Sequence, residues 1–279
     1  CDLSFSNLCS WRFLYDTQFA VVDNFLVFKF WAGEQLAYMM PVGTGDLKAV
    51  LWELIEDARK ENKHFCMLGV CSNMRADLEA ILPEQFTFTE DRDYADYIYL
   101  RSDLSTLKGK KFQAKRNHIN RFRNTYPDYE YTPITPDRIQ ECLDLEAEWC
   151  KVNNCDQQEG TGNERRALIY ALHNFEALGL TGGILHVNGK IVAFTFGMPI
   201  NHETFGVHVE KADTSIEGAY AMINYEFANR IPEQYIYINR EEDLGIEGLR
   251  KAKLSYQPAT ILEKYMACLK EHPMNMVKW

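Results

Sequence analysis

The order in which short periodic segments follow one another constrains this chain of 279 residues more than any single motif. Alternating apolar residues predict strands at 19–22, 24–31 and 35–40, the last two turning at Ala32-Gly33-Glu34. Asp46 then caps a predicted helix in which Val50, Leu51, Leu54, Ile55 and Ala58 recur at helical spacing. A strand over 64–70, a short helix over 73–82 and a strand pair within 86–100 complete the first half. The second half repeats this order. Strands over 180–187 and 190–200 turn at Asn188-Gly189, a dipeptide that tolerates the positive φ angles of a two-residue hairpin loop. A strand over 203–211 comes next, and Thr214 and Glu217 form a capping box for a helix carrying Ala221, Tyr225 and Ala228 on one side. A strand over 234–239, a helix over 246–256 and a strand over 260–269 end the pattern. Hairpin, helix, strand, helix and strand thus occur twice.

That element order resembles the GNAT acyltransferase fold, in which a mixed sheet splays between two central strands to admit an acyl donor. The expected architecture is therefore an α/β (α+β) fold of two GNAT-like units in tandem, residues 1–106 and 107–279. Helices over 107–126 and 136–178 join the halves and open the second unit. Composition suits a globular chain: 46% hydrophobic and 25% charged residues exclude disordered, collagenous and long coiled-coil readings. A net charge of -10 argues against a general duplex-nucleic-acid binder, which needs Lys and Arg spread over a face to release phosphate counterions. The longest apolar stretch, 19–31, is interrupted by Asp23, Asn24 and Lys29, so no membrane-spanning segment is expected.

Eight cysteines, at 1, 9, 66, 71, 142, 150, 155 and 268, include no Cys-x-x-Cys pair, so neither zinc nor redox spacing is present and no metal is expected. Cys66 and Cys268 fall in apolar strand-like runs and Cys142 in a helical pattern, which favours a reducing, cytoplasmic location. Cys1 begins the chain without a Met, which reads as upstream truncation, with a mature lipoprotein cysteine as the sharper alternative.

Charge is segregated. Lys108, Lys110, Lys111, Lys115, Arg116, Arg121 and Arg123 fall within 108–123 without a single acid. Phe112, Arg116, Ile119 and Arg123 share one helical stripe, which places two arginines among the residues expected to be buried. A solvated helix whose arginines snorkel to carboxylates is one reading; a cradle for a phosphate or nucleic-acid backbone is the other. His118, on a neighbouring face, is expected to pack. A second informative segment runs from Ile238 to Pro258, from a strand end through an acidic, Gly-containing loop into a helix, where open sheets place ligands. There Arg250 and Lys253 are i, i+3 neighbours, and Asp243 reads either as an acid–base group or as an N-cap paired with Arg250.

The stretch Asn239-Arg-Glu-Glu-Asp-Leu-Gly-Ile-Glu-Gly-Leu-Arg-Lys-Ala-Lys with Tyr256 and Pro258, together with Leu107-Lys-Gly-Lys-Lys-Phe and Arg116-Asn-His-Ile-Asn-Arg-Phe, resembles the C-terminal, catalytic domain family of phosphatidylglycerol lysyltransferase. Asp2-Leu-Ser-Phe-Ser-Asn-Leu with Trp11 is similar to that family's opening motif. The resemblance covers nearly the whole chain and implies tandem GNAT-like units that move an aminoacyl group from charged tRNA to a lipid. It places Asn239, Glu241, Asp243, Arg250 and Lys253 around the acyl-transfer cleft of the second unit. Lys111 and Arg116 face the donor's nucleotide or phosphate, and Lys115, Asn117 and Arg123 of the same helix complete that set. The membrane-embedded region that precedes the domain in lysyltransferases is not part of this sequence, so small-molecule, peptide and lipid acceptors all stay open.

An acetyl-CoA enzyme binds pyrophosphate through backbone N–H groups at the start of its central helix. Here Glu217 would set a carboxylate against the pyrophosphate, and Pro41-Val-Gly-Thr-Gly-Asp46 of the first unit lacks the leading Arg or Gln, so acyl-CoA ranks below aminoacyl-tRNA as donor. In the expected mechanism an amine or hydroxyl attacks the donor ester while Glu241 or Asp243 takes the proton and Arg250 and Lys253 stabilise the oxyanion. Tyr256 is a secondary proton-donor candidate. His208 and Glu210, which point to one side of their strand, are secondary base candidates. No resident cofactor is expected. The Tyr-rich tract 93–99 reads as a half-exposed strand without a function. A pair of GNAT-like units that binds a phosphorylated ligand or RNA without catalysis is the remaining alternative.

Overall fold

The computed structural model describes residues 3–153 and 159–270. Cys1, Asp2 and Cys155, named above, lie outside the described residues. The chain divides into two compact units, but not at residue 106: one comprises 12–95 and 262–279, the other 1–11 and 96–261. The strands expected to pair within 86–100 explain the difference. Phe86–Glu90 pairs with Lys264–Leu269, whereas Asp96–Leu100 pairs with Tyr237–Asn239. The segment expected as one last strand over 260–269 likewise splits into Thr260–Leu262 and Lys264–Leu269, which join different sheets. Alternation in the sequence identifies strands but not their partners.

In the unit built on 12–95, a mixed seven-stranded sheet has the main order Gln18–Val22, Phe25–Ala32, Gln35–Tyr38, Cys66–Cys71, Lys264–Leu269 and Phe86–Glu90, with Val42–Gly43 pairing on Phe25–Ala32. The helix Leu47–Lys60 begins where Asp46 accepts a hydrogen bond from the N–H of Ala49. Val50, Leu51, Leu54, Ile55 and Ala58 are all buried against Leu36, Tyr38 and Met67 of the sheet core. Cys66 and Cys268, expected as separate apolar residues, face each other across neighbouring antiparallel strands and form a disulfide.

In the other unit a second mixed seven-stranded sheet runs Thr260–Leu262, Asp96–Leu100, Tyr237–Asn239, Thr204–Ala212, Lys190–Pro199, Thr181–Val187 and Glu130–Pro133. The hairpin closes at Val187 and Lys190, with Asn188 and Gly189 both at positive φ as their types permit. The helix Ala219–Arg230 and the basic helix Gln113–Thr125 pack on this sheet through Met222, Ile223, Ile119 and Phe122. Ile139–Asn153 and Glu159–His173 contribute Cys142, Leu145, Leu168 and Leu172 to an adjoining cluster with Ile184 and Phe194. The Tyr-rich tract is not half-exposed at its centre: Tyr97 and Tyr99 are completely buried.

The capping box at Thr214 and Glu217 does not form. The helix starts one turn later at Ala219, preceded by Gly218 at φ +86 and without a side-chain cap. A Cβ at Gly218 would lie 2.9 Å from the carbonyl oxygen of His118 and 3.1 Å from Cβ of Phe122, so packing on the basic helix selects glycine. Glu217 turns away and pairs with Arg121.

Candidate active site

The site begins where the second sheet comes apart. Thr204–Ala212 runs parallel to Tyr237–Asn239 for only three register pairs, the last being Gly206 with Asn239. Beyond that pair the strands diverge. Val207–Ala212 forms one lip, and the chain leaving Asn239 forms the other, so a cleft of about 1060 Å³ opens within this unit. His208 and Glu210 lie on the first lip, Arg240 and Glu241 on the second.

The second lip is held by its own backbone. Asn239 Oδ1 accepts from the N–H of Glu241 at 2.8 Å, while its Nδ2 donates to Asp96 Oδ2 at 2.8 Å. Glu241 sits at φ +58, an uncommon conformation for a side chain of this size. Lys253 secures it: its Nζ donates to the carbonyl of Arg240, to Glu241 O at 3.2 Å and to Glu242 O at 2.6 Å. Three carbonyls match the three N–H bonds of an ammonium. Burial and the neighbouring Arg240 nevertheless bring Lys253 down to about 8.

Asp243 and Arg250 are bound to each other rather than presented to a ligand. Asp243 is completely buried and accepts from Arg250 Nε at 2.9 Å, Arg250 Nη2 at 2.8 Å, the N–H of Gly245 at 2.9 Å and the Tyr97 hydroxyl. Burial alone would raise its carboxyl, but the Arg250, Tyr97 and Gly245 hydrogen bonds together hold it far below the carboxylate range. The expected roles of Asp243 as base and of Arg250 as oxyanion donor are therefore replaced by a structural one. Nor do they line the cleft, whereas Lys253, Glu241 and Tyr256 do.

His208 and Glu241 meet across the lips. The imidazole Nδ1 is 2.8 Å from Glu241 Oε1, which also accepts from Asn7 Nδ2 at 2.9 Å. Burial favours a protonated Glu241, but the His208 hydrogen bond and charge, with the Asn7 amide, outweigh it and hold the carboxyl below its ordinary value. An ionised Glu241 can only accept, so Nδ1 carries a proton, and in the neutral imidazole Nε2 is the free acceptor. That Nε2 is buried and, among the described residues, has no hydrogen-bond partner. Such a carboxylate-oriented imidazole is an arrangement that can serve as a general base.

Of the basic helix, only Lys115 and His118 line the cleft. Lys111 donates to Asp103 at 2.8 Å, and Asn117 accepts from Gln113 at 2.9 Å. Arg116 is spent on the turn before its own helix, donating to Leu107 O, to Gly109 O at 2.7 Å and to Gln113 Oε1 at 2.6 Å. Arg123 lies 3.7 Å from Glu226 and over the Tyr225 ring. The stripe that placed arginines beside Phe112 and Ile119 was real, but its carbonyls and carboxylates satisfy them.

Several cleft residues escaped the sequence reading. Arg240 is largely buried between Glu210, at 3.0 Å, and the ring of Tyr256. Trp149 donates to the Tyr220 hydroxyl at 3.1 Å and lies under Lys211, itself bonded to Glu164 at 2.8 Å. Asn7 and Arg240 stood inside the quoted motifs, which was the available signal; Trp149, Tyr220 and Lys211 had none. Among the described residues, His64, Cys66 and Cys268 bring metal-ligating atoms within 4.8 Å of one another, but the two sulfurs are bonded together. No helix among the described residues is long and apolar enough to cross a membrane.

Two mixed sheets, with a cleft at the splay of a central parallel pair, define a tandem GNAT-like protein. The chain belongs to the family described as phosphatidylglycerol lysyltransferase, C-terminal, whose profile matches residues 1–268. A crystal structure of a conserved protein of unknown function from Bacteroides thetaiotaomicron is 94% identical and covers 97% of this chain and 91% of its own, at a TM-score of 0.95. The C-terminal domain of a putative lysylphosphatidylglycerol synthetase from Agrobacterium fabrum is similar in fold, with 14% identity, 94% and 86% coverage and a TM-score of 0.71. L-PGS from Bacillus licheniformis gives 19% identity, 96% and 88% coverage and 0.66. An uncharacterised protein of Mycoplasmoides gallisepticum is 25% identical over 177 residues, which are 61% of this chain and 55% of that relative's length.

Proposed function

We propose that the chain is an aminoacyltransferase that moves an aminoacyl group from charged tRNA to an amine or hydroxyl acceptor. The observation that carries this reading is the His208–Glu241 pair, whose unpartnered Nε2 lies on the lip of a cleft with Lys115, Arg240 and Lys253 on its walls. In the reaction, Nε2 takes the proton of the acceptor as its nitrogen or oxygen attacks the ester carbonyl. The tetrahedral oxyanion forms in the positive field of Arg240 and Lys253. It collapses by expelling the ribose hydroxyl of the tRNA, which recovers the proton from the imidazolium. No covalent enzyme intermediate is needed, and Glu241 holds the imidazole in the required tautomer throughout. Such a donor is found in the cytoplasm, which supports that location, while the Cys66–Cys268 disulfide runs against the reducing setting expected from the cysteine placement. The acceptor is a small molecule, a peptide or a lipid headgroup.

A second reading, acyl-CoA as donor, draws on one observation. With Glu217 turned toward Arg121, no side chain caps the start of the helix Ala219–Arg230, and Gly218 and Ala219 line the cleft. The Glu217 carboxylate expected to repel a pyrophosphate lines the cleft there but is paired with Arg121. Incubation with labelled aminoacyl-tRNA or acetyl-CoA, each with phosphatidylglycerol vesicles or peptide amines, separates the two. Transfer from tRNA, slowed about 10²–10⁴-fold in His208→Gln, is the expected outcome. Transfer from acetyl-CoA alone moves the assignment to the second reading. Binding of charged and uncharged tRNA alike, with no transfer from any donor, leaves a binding module.

A further inference from the structure

One wall of the cleft carries more cationic charge than its neighbours neutralise. Arg240 is largely buried, its side chain 11% exposed, with Nη2 bound to Glu210 Oε1 at 3.0 Å and Nη1, among the described residues, without a hydrogen-bond partner. Lys115 stands beside it. Its Nζ lies 3.9 Å from the centre of the Tyr256 ring, on which the Arg240 guanidinium also rests at 4.9 Å. Among the described residues Lys115 forms no ion pair, and Glu210, the carboxylate that acts on both cations, also accepts from Asn224 at 3.2 Å. Two cations thus share one aromatic ring and one nearby carboxylate. Burying such an excess is costly unless a further anion completes the set. Desolvation and Arg240 together bring Lys115 down to about 8, the direction expected of an ammonium crowded by a like charge.

We infer that Lys115 and Arg240, seated on Tyr256, form a binding site for a phosphate ester of the substrate. Four elements supply it: the basic helix gives Lys115, the strand Thr204–Ala212 gives Glu210, the lip after Tyr237–Asn239 gives Arg240, and the segment after Glu247–Leu254 gives Tyr256. A guanidinium offers a directed N–H and an ammonium a mobile point charge, and together they suit a tetrahedral oxyanion. Position strengthens the inference. Glu210 and His208 are two residues apart on one strand, which bulges at His208, and both line the cleft, so a phosphate held here anchors its ester near the base. This rests on the transfer reading above and deepens it: the donor's phosphate is recognised by the cleft wall rather than by the outer surface of the basic helix.

Isothermal titration of the full chain with inorganic pyrophosphate, a CCA trinucleotide, CoA and glycerol 3-phosphate tests the site without reference to turnover. At least one of these should bind, and Lys115→Met, which keeps the packing on Tyr256, should weaken it roughly tenfold or more, with recovery in Lys115→Arg. Which ligand responds names the source as tRNA end, CoA or lipid headgroup. His208→Gln should bind as the parent does, so loss of transfer with retained binding leaves this site standing. No binding by any of the four, or binding indifferent to Lys115→Met in a protein of unchanged melting temperature, overturns the inference.

Discussion

At the scale of single residues, the division of labour within the segment 239–256 is set by which polar atoms are already satisfied. Asp243 and Glu241 are two positions apart and chemically alike, yet Asp243 is closed on all sides by Arg250, Tyr97 and Gly245, while Glu241 turns to His208. A base must have capacity left over, which excludes the first and points through the second to the imidazole. Asp243→Asn should therefore lose stability, about 3–5 kcal/mol at neutral pH, because it leaves Arg250 without its buried partner. The sign with pH follows from the depressed carboxyl. Its contribution is complete above the ordinary value of 3.8 and fades as pH falls below it, so the melting curves of parent and variant should converge in acid. A difference that persists unchanged below that pH would contradict the assignment. Residue chemistry also explains why His208 ranked low in the sequence: its partner is 33 positions away, and no local spacing announces it.

Among the elements, the basic helix shows how one segment can be read correctly as a helix and incorrectly as a surface. The helix expected over 107–126 runs over Gln113–Thr125, and the burial of Phe122 was not anticipated, whereas that of Phe112 and Ile119 follows from periodicity. What the side chains bind does not. Leu107 and Gly109 adopt positive φ, at +48 and +92, and Arg116 fastens that turn by donating to both carbonyls. Arg116→Ala should lower stability by about 1.5–3 kcal/mol, measured by denaturant unfolding, and leave the salt dependence of tRNA binding as it is. A shallower salt slope with unaltered stability would restore Arg116 to the donor. The helix Ala219–Arg230 carries a similar lesson, since Thr214 and Glu217 have the spacing of a capping box but Gly218 ends the preceding turn where His118 and Phe122 press against it.

For the molecule as a whole, pairing between distant strands matters most. The sheet built on 12–95 takes Lys264–Leu269 between Cys66–Cys71 and Phe86–Glu90, and the disulfide fastens that strand to its neighbour across 202 residues of chain. Closing so long a loop restricts the unfolded chain, so Cys66→Ser or reduction should cost about 2–4 kcal/mol in thermal or denaturant unfolding of the intact chain. An equal melting temperature with and without a dithiol reductant would show that the bond contributes nothing. By itself the sequence determined the element types, the helix that Asp46 opens, the hairpin at Asn188-Gly189 and the family motifs that hold Glu241, Arg240 and Asn7, because periodicity, turn chemistry and motif spacing act over a few residues. Only the tertiary structure decided the unit boundaries, the pairing of Asp96–Leu100 and Lys264–Leu269, the locking of Asp243 and the meeting of His208 with Glu241. Those outcomes depend on where two parallel strands stop hydrogen-bonding and on which buried atoms remain unsatisfied, and neither is a local property of the chain.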